Sequence, residues 1–195
     1  MSSERKRGWL SLSGNASYAQ PIVQAANAGA CAIVTNAIIS GLTAGALTIA
    51  LAEPDYPRNM VCYLVDANAT ITAGTVTIYG LNQNGEAVSE VIAITATTVM
   101  TGVVAFSKVT AAVWALVSGT VTATDDTIAI GVGNKLGLPG APGCVYEEVI
   151  NKAFDGDADA GTFNKTYGTY LPAGTMNGAK PVEVFYTYRA PLNVY

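Results

Sequence analysis

Thr75-Val76-Thr77-Ile78-Tyr79-Gly80-Leu81, then Asn82-Gln83-Asn84-Gly85-Glu86, then Ala87-Val88-Ser89-Glu90-Val91-Ile92-Ala93-Ile94 is the stretch that decides the fold. Side chains alternate across a strand with period two, which puts Val76 and Ile78 on one face and Thr75, Thr77 and Tyr79 on the other. That is the pattern of a half-buried strand. Asn84-Gly85 tolerates positive φ, so the chain reverses there and pairs the two segments antiparallel. A further alternating strand, Thr127-Ile128-Ala129-Ile130-Gly131-Val132, follows the turn-like pair Asp125-Asp126. The region from 99 to 117 reads as two more strands, with Thr101-Gly102 as the turn between them and Phe106, Val113 and Trp114 in the core.

Pro54-Asp55-Tyr56-Pro57-Arg58-Asn59, Gly74-Thr75-Val76-Thr77-Ile78-Tyr79-Gly80, Asn82-Gln83-Asn84-Gly85 and Asp126-Thr127-Ile128-Ala129-Ile130-Gly131-Val132-Gly133-Asn134-Lys135-Leu136-Gly137-Leu138-Pro139 occur in that order. Together they resemble the β module of tailed-bacteriophage virion structural proteins, where the pattern recurs in capsid decoration (cement) and head-associated proteins. The resemblance covers residues 54 to 139. It implies a non-enzymatic virion component with the major capsid protein as partner. By analogy with decoration proteins at lattice three-fold positions it implies a homotrimer; the sequence itself carries no oligomer number.

Only 12% of the 195 residues are charged, against about 25% in an average soluble protein. Such a chain either enters a membrane or hides surface against neighbouring proteins. Residues 8 to 52 carry no charge, yet Asn27, Thr35, Asn36, Ser40, Thr43 and Thr48, with Gly29, Gly41 and Gly45, interrupt the apolar part. That composition inserts poorly, so uncharged strands or an arm against a neighbour are expected instead. Arg5-Lys6-Arg7 is followed by a segment too polar for a signal-peptide core, and synthesis and assembly in the cytoplasm are expected. Cys31, Cys62 and Cys144 are odd in number and widely spaced, which gives no disulfide framework; they are expected to be small buried hydrophobes.

Three divisions follow: residues 1 to 53, an N-terminal arm with an apolar Ala/Gly-rich segment; 54 to 139, the β module; and 140 to 195, a C-terminal β segment and tail. The expected fold is mainly β, an antiparallel sandwich or barrel-like module with extended N- and C-terminal arms. Two readings of the N-terminus stand open. One is a solvated end. The other is an arm onto an adjacent subunit, with Trp9 as its buried anchor and Arg5, Lys6 and Arg7 meeting an acidic patch. On a chain of net charge −4, three adjacent cations are a poor footprint for nucleic acid. In the tail, Val182-Glu183-Val184-Phe185-Tyr186-Thr187-Tyr188-Arg189 reads as a strand, and Tyr186, Tyr188 and Tyr195 are taken as interface candidates.

The chain has no histidine, which removes the commonest general base and metal ligand. No enzyme, cofactor or nucleotide site is expected. Gly131-Val132-Gly133-Asn134-Lys135-Leu136-Gly137 lacks a third glycine at Leu136 and no helix pattern follows. The pairs Asp125-Asp126 and Glu147-Glu148 are expected to face solvent on opposite sides of an extended chain. Asp155, Asp157 and Asp159 have the spacing of a calcium loop's opening. However, Ala160 stands where glycine is needed and Thr166 where a bidentate glutamate is needed, so an acidic loop is expected. The rival readings are a head-fibre base, tail or connector component, and a carbohydrate or host-surface binding module.

Overall fold

The computed structural model describes residues 3–12, 32–39, 42–50, 53–54, 56–95, 99–121, 126–174 and 180–191. The fold is all-β and antiparallel, in two packed sheets. The first strands are β1 (Ser3–Leu12), β2 (Ala32–Ile38), β3 (Ala44–Leu47), β4 (Arg58–Val65), β5 (Ile71–Asn82) and β6 (Ala87–Ile94). The remainder are β7 (Val99–Gly119), β8 (Thr127–Gly137), β9 (Val145–Phe154), β10 (Asp157–Ala158), β11 (Thr162–Asn164), β12 (Thr169–Leu171) and β13 (Val182–Pro191). A nine-stranded sheet runs β11-β12-β8-β4-β7-β5-β6, with β2 added to β8 and β3 to β7. A four-stranded sheet runs β1-β13-β9-β10. Among the described residues no helix is long and apolar enough to cross a membrane.

The β5–β6 hairpin forms as its alternation predicts. Val76 and Ile78 are buried and Tyr79 is exposed. Gly85 takes φ +78°, and Asn82 and Glu86 close the turn with a 2.9 Å backbone bond. The uncharged segment before Pro54 supplies β2 and β3, where β-branched residues outweigh the helix preference of alanine. Val34, Ile39 and Leu47 join the main core with Met60, Cys62 and Leu64 of β4, Ile128, Ile130 and Val132 of β8, and Trp114 of β7.

The region from 99 to 117 lies in one 21-residue strand, β7, not two. Its first third pairs with β4 and the rest with β5. Thr101-Gly102 is not a turn but the start of a bulge: Asn59 opposes Ala105 and Val61 opposes Thr101, so residues 102 to 104 face Met60 alone. Side chains from other strands satisfy the backbone that the bulge frees. The Glu90 carboxylate accepts the N–H groups of Val103 (2.6 Å) and Val104 (3.3 Å). The Gly102 carbonyl accepts from Asn59 Nδ2 (2.9 Å) and Lys135 Nζ (2.8 Å). β8 bulges against β4 at the same level, with Arg58 opposite Leu136 and Met60 opposite Val132. Asn59, fully buried, lies between the two bulges and also accepts the Lys135 N–H at 2.9 Å.

Asp126 departs from its expected solvent-facing role. It is buried, accepts the Ala67 N–H at 3.0 Å and gives its carbonyl to Ile39 N–H; Asp125 lies outside the described residues. Within the segments expected as arms, β1 and β13 pair with each other in the small sheet. Gly8, Leu10 and Leu12 point from β1 toward a second core, in which Leu10 clusters with Leu136, Tyr170, Val182, Val184 and Tyr186. This second core joins the two sheets.

Candidate functional site

β13 is a central strand of the small sheet and its alternation sorts the residues: Val182, Val184 and Tyr186 point inward while Glu183, Phe185 and Arg189 point out. The register places Trp9 of β1 opposite Phe185. Their rings stack with centroids 5.6 Å apart and planes 7° from parallel. Trp9 is nevertheless 61% exposed and Phe185 38%, and Ile150 of β9 is also exposed. Glycine is needed at position 8, because a Cβ there would run into the Tyr186 ring. Beside the aromatic pair lies a depression of about 600 Å³ lined by Arg5, Arg7, Glu148, Val149, Ile150 and Thr187.

The charges on this face form a network. Arg5 Nε lies 2.9 Å from Glu147 Oε2, its Nη2 pairs with Glu148, and Arg189 Nε donates to Glu147 Oε1 at 2.5 Å. Strict alternation would send Glu147 and Glu148 to opposite faces. A β-bulge prevents it: Thr187 opposes Glu148 and Tyr188 opposes Tyr146, which leaves Glu147 as the extra residue. The bulge re-aims both carboxylates to one side, so the expectation of separate faces is corrected. The Arg189 hydrogen bond, helped by Arg5, holds the Glu147 carboxyl below the usual carboxylate range. Arg7 makes no ion pair among the described residues, and Lys6 reaches Glu4 at 3.6 Å.

Of the residues singled out in the sequence, Arg5, Arg7 and Trp9 come together here, and Lys6 points from the alternate position of β1. The acidic pair that Arg5 meets belongs to the chain itself, and Trp9 is exposed on the single chain. Tyr186 is not an interface residue: it is buried, and its hydroxyl donates to the Pro139 carbonyl. Tyr188 is half-buried against Tyr146 and Tyr186, all three ring pairs being 6.2 Å apart. Burial pushes the Tyr146 and Tyr186 phenols up. Tyr195 lies outside the described residues. Phe185, Ile150, Glu147, Glu148 and Arg189 were missed, although the parity of Phe185 against Val184 and Tyr186 marks it as outward.

The three aspartates of the acidic loop have separate partners. Asp155, at φ +57°, pairs with Lys180 at 3.0 Å. Asp159 accepts the Tyr170 hydroxyl and the Ala173 N–H, and Asp157 is exposed. Among the described residues no group of three acidic or cysteine side chains is placed to hold a metal ion.

A second concavity of about 540 Å³ lies between the β5–β6 turn and residues 144 to 146. Its polar groups fasten the hairpin to the loop before β9. Asn84 Oδ1 accepts the Gly140 N–H (2.7 Å) and the Tyr146 hydroxyl (3.1 Å), and Glu86 Oε1 accepts the Gly143 N–H (2.8 Å). Cys144 lines it, with its thiol pushed up by burial and so poorly nucleophilic. The outward aromatic and charged face of the small sheet therefore has the chemistry of a docking surface. Comparison with protein-family models, with curated proteins and with solved structures gives no match.

Proposed function

We propose that the chain is a structural component of a tailed-phage virion that docks on the assembled capsid and stabilises contacts between major capsid subunits. The observation that carries this reading is the exposed Trp9–Phe185 stack beside Arg7 and Ile150, on a chain with only 12% charged residues. Aromatic residues and arginine dominate interface energetics, and a stacked indole already held in place loses little freedom when it is covered. A protein that binds only the assembled lattice lowers the free energy of that state by mass action, and many copies multiply a modest affinity. A homotrimer at lattice three-fold positions is the preferred form, with the major capsid protein as partner and the capsid surface as location.

The test is a reconstruction of the particle in which the chain is located and counted. Hundreds of copies across subunit joints, with the small sheet's outer face against the shell, support the proposal. A dozen or fewer copies at one vertex would transfer the chain to a fibre-base, tail or connector role.

A further inference from the structure

We propose that Lys135 and Asn59 become joined by an intramolecular isopeptide bond, formed by the folded chain itself with Glu90 as the proton-transfer group. This goes beyond the capsid reading and does not rest on it. The three side chains converge on Gly102. Lys135 Nζ and Asn59 Nδ2 both donate to its carbonyl oxygen, at 2.8 and 2.9 Å. The Glu90 carboxylate lies against the same residue, where a Cβ on Gly102 would collide with it, and accepts from the next two N–H groups. An amine, a carboxamide and a carboxylic acid are the groups that amide exchange requires.

Their environment favours the reactive forms. Burial pulls the Lys135 ammonium below the usual lysine range, against the opposing influence of Glu90, and burial pushes the Glu90 carboxyl up. Both shifts move the pair toward a free amine and a neutral acid, the state that nucleophilic attack needs. The backbone N–H of Lys135 donates to Asn59 Oδ1 at 2.9 Å, which polarises the carboxamide and stabilises negative charge on that oxygen. Asn59 itself is fully buried, while Lys135 is half-buried.

In the reaction the Nζ lone pair adds to Asn59 Cγ. Glu90, starting as the neutral acid, gives its proton toward Nδ2 and recovers one from Nζ, the Cγ–Nδ2 bond breaks, and ammonia leaves. The products are one secondary amide and one ammonia, with no change of oxidation state. A cavity of about 150 Å³, lined in part by Asn59, Asn134 and Lys135, adjoins the reacting groups. Asn134 Oδ1, buried without a hydrogen-bond partner, is an acceptor for the departing ammonia.

The experiment is the intact mass of the purified full-length chain under denaturing conditions, followed by peptide mapping. The expected result is a mass about 17 Da, one ammonia, below that of the sequence, with the loss located in a branched peptide that joins Asn59 to Lys135. Lys135→Arg is expected to restore the full mass, and a folded Glu90→Gln chain to remain unlinked. A wild-type chain at its full sequence mass overturns the proposal, as does a loss of ammonia mapped to succinimide at Asn84-Gly85. A folded Glu90→Gln chain that still carries the bond overturns the role given to Glu90. The wild-type mass decides the matter even where a variant fails to fold.

Discussion

Replacing Trp9 by alanine separates docking from folding. The indole is 61% exposed, so of the ~250 Å² that a tryptophan presents, roughly 150 Å² remains for a partner to cover. At about 25 cal/mol per Å² that area is worth at most about 4 kcal/mol on contact. Ordering and imperfect desolvation reduce it, which leaves a loss of about 2 to 3 kcal/mol, or roughly 30- to 150-fold in affinity, for Trp9→Ala. Within the free chain the same change removes only the stack on Phe185, worth about 1 kcal/mol. In a chain of this length that corresponds to a fall of about 2 to 4 °C in Tm. The assay is titration of undecorated shells with wild-type and variant chains, with bound protein measured after sedimentation, alongside thermal unfolding of each. A variant that saturates shells at the wild-type concentration refutes the assignment of this face. A large loss of stability with unchanged affinity per folded molecule refutes it equally.

Gly74→Ala is expected to cost about 1 to 3 kcal/mol in denaturant unfolding, because its Cβ would enter the buried Trp114 ring, which itself donates to the Leu42 carbonyl at 3.2 Å. At Ala69, which holds φ +57°, glycine should stabilise the chain by about 0.5 to 1 kcal/mol, read as a higher urea midpoint at unchanged slope. The Glu147 carboxyl titrates below its unfolded value. Its contribution is therefore present at neutral pH and is lost as pH falls through the folded value; hydrogen exchange of the β1 amides should accelerate there in wild type and much less in Glu147→Gln. Cys62 is buried with its thiol pushed up, so it should react with a thiol reagent only at the rate of unfolding.

What the sequence disclosed was local. The β5–β6 hairpin needs only its own alternation and Asn84-Gly85, and β8 only Ile128, Ile130 and Val132. Gly102 looked like a turn because a bulge and a reversal both favour glycine. The groups that make it a bulge, Asn59, Glu90 and Lys135, come from three other strands and leave no local mark. Tyr186 and Tyr188 stand out by residue type, yet residue type does not say which face a residue occupies; strand parity puts Tyr186 inside and Phe185 outside. The Arg5 pairing with both Glu147 and Glu148 depends on a single extra residue in β9 against β13, far apart in the chain and invisible before the register is known. The role of β1 was hidden for the same reason, since its partner lies at the other end of the polypeptide.

β7 lies between β4 and β5 and is the neighbour of both. Severing the polypeptide before residue 99 would strip each of them of that shared neighbour, so no cut there yields two self-sufficient pieces. Melting should accordingly occur as a single event, and refolding should be slow, since most of its pairings link residues distant in the chain.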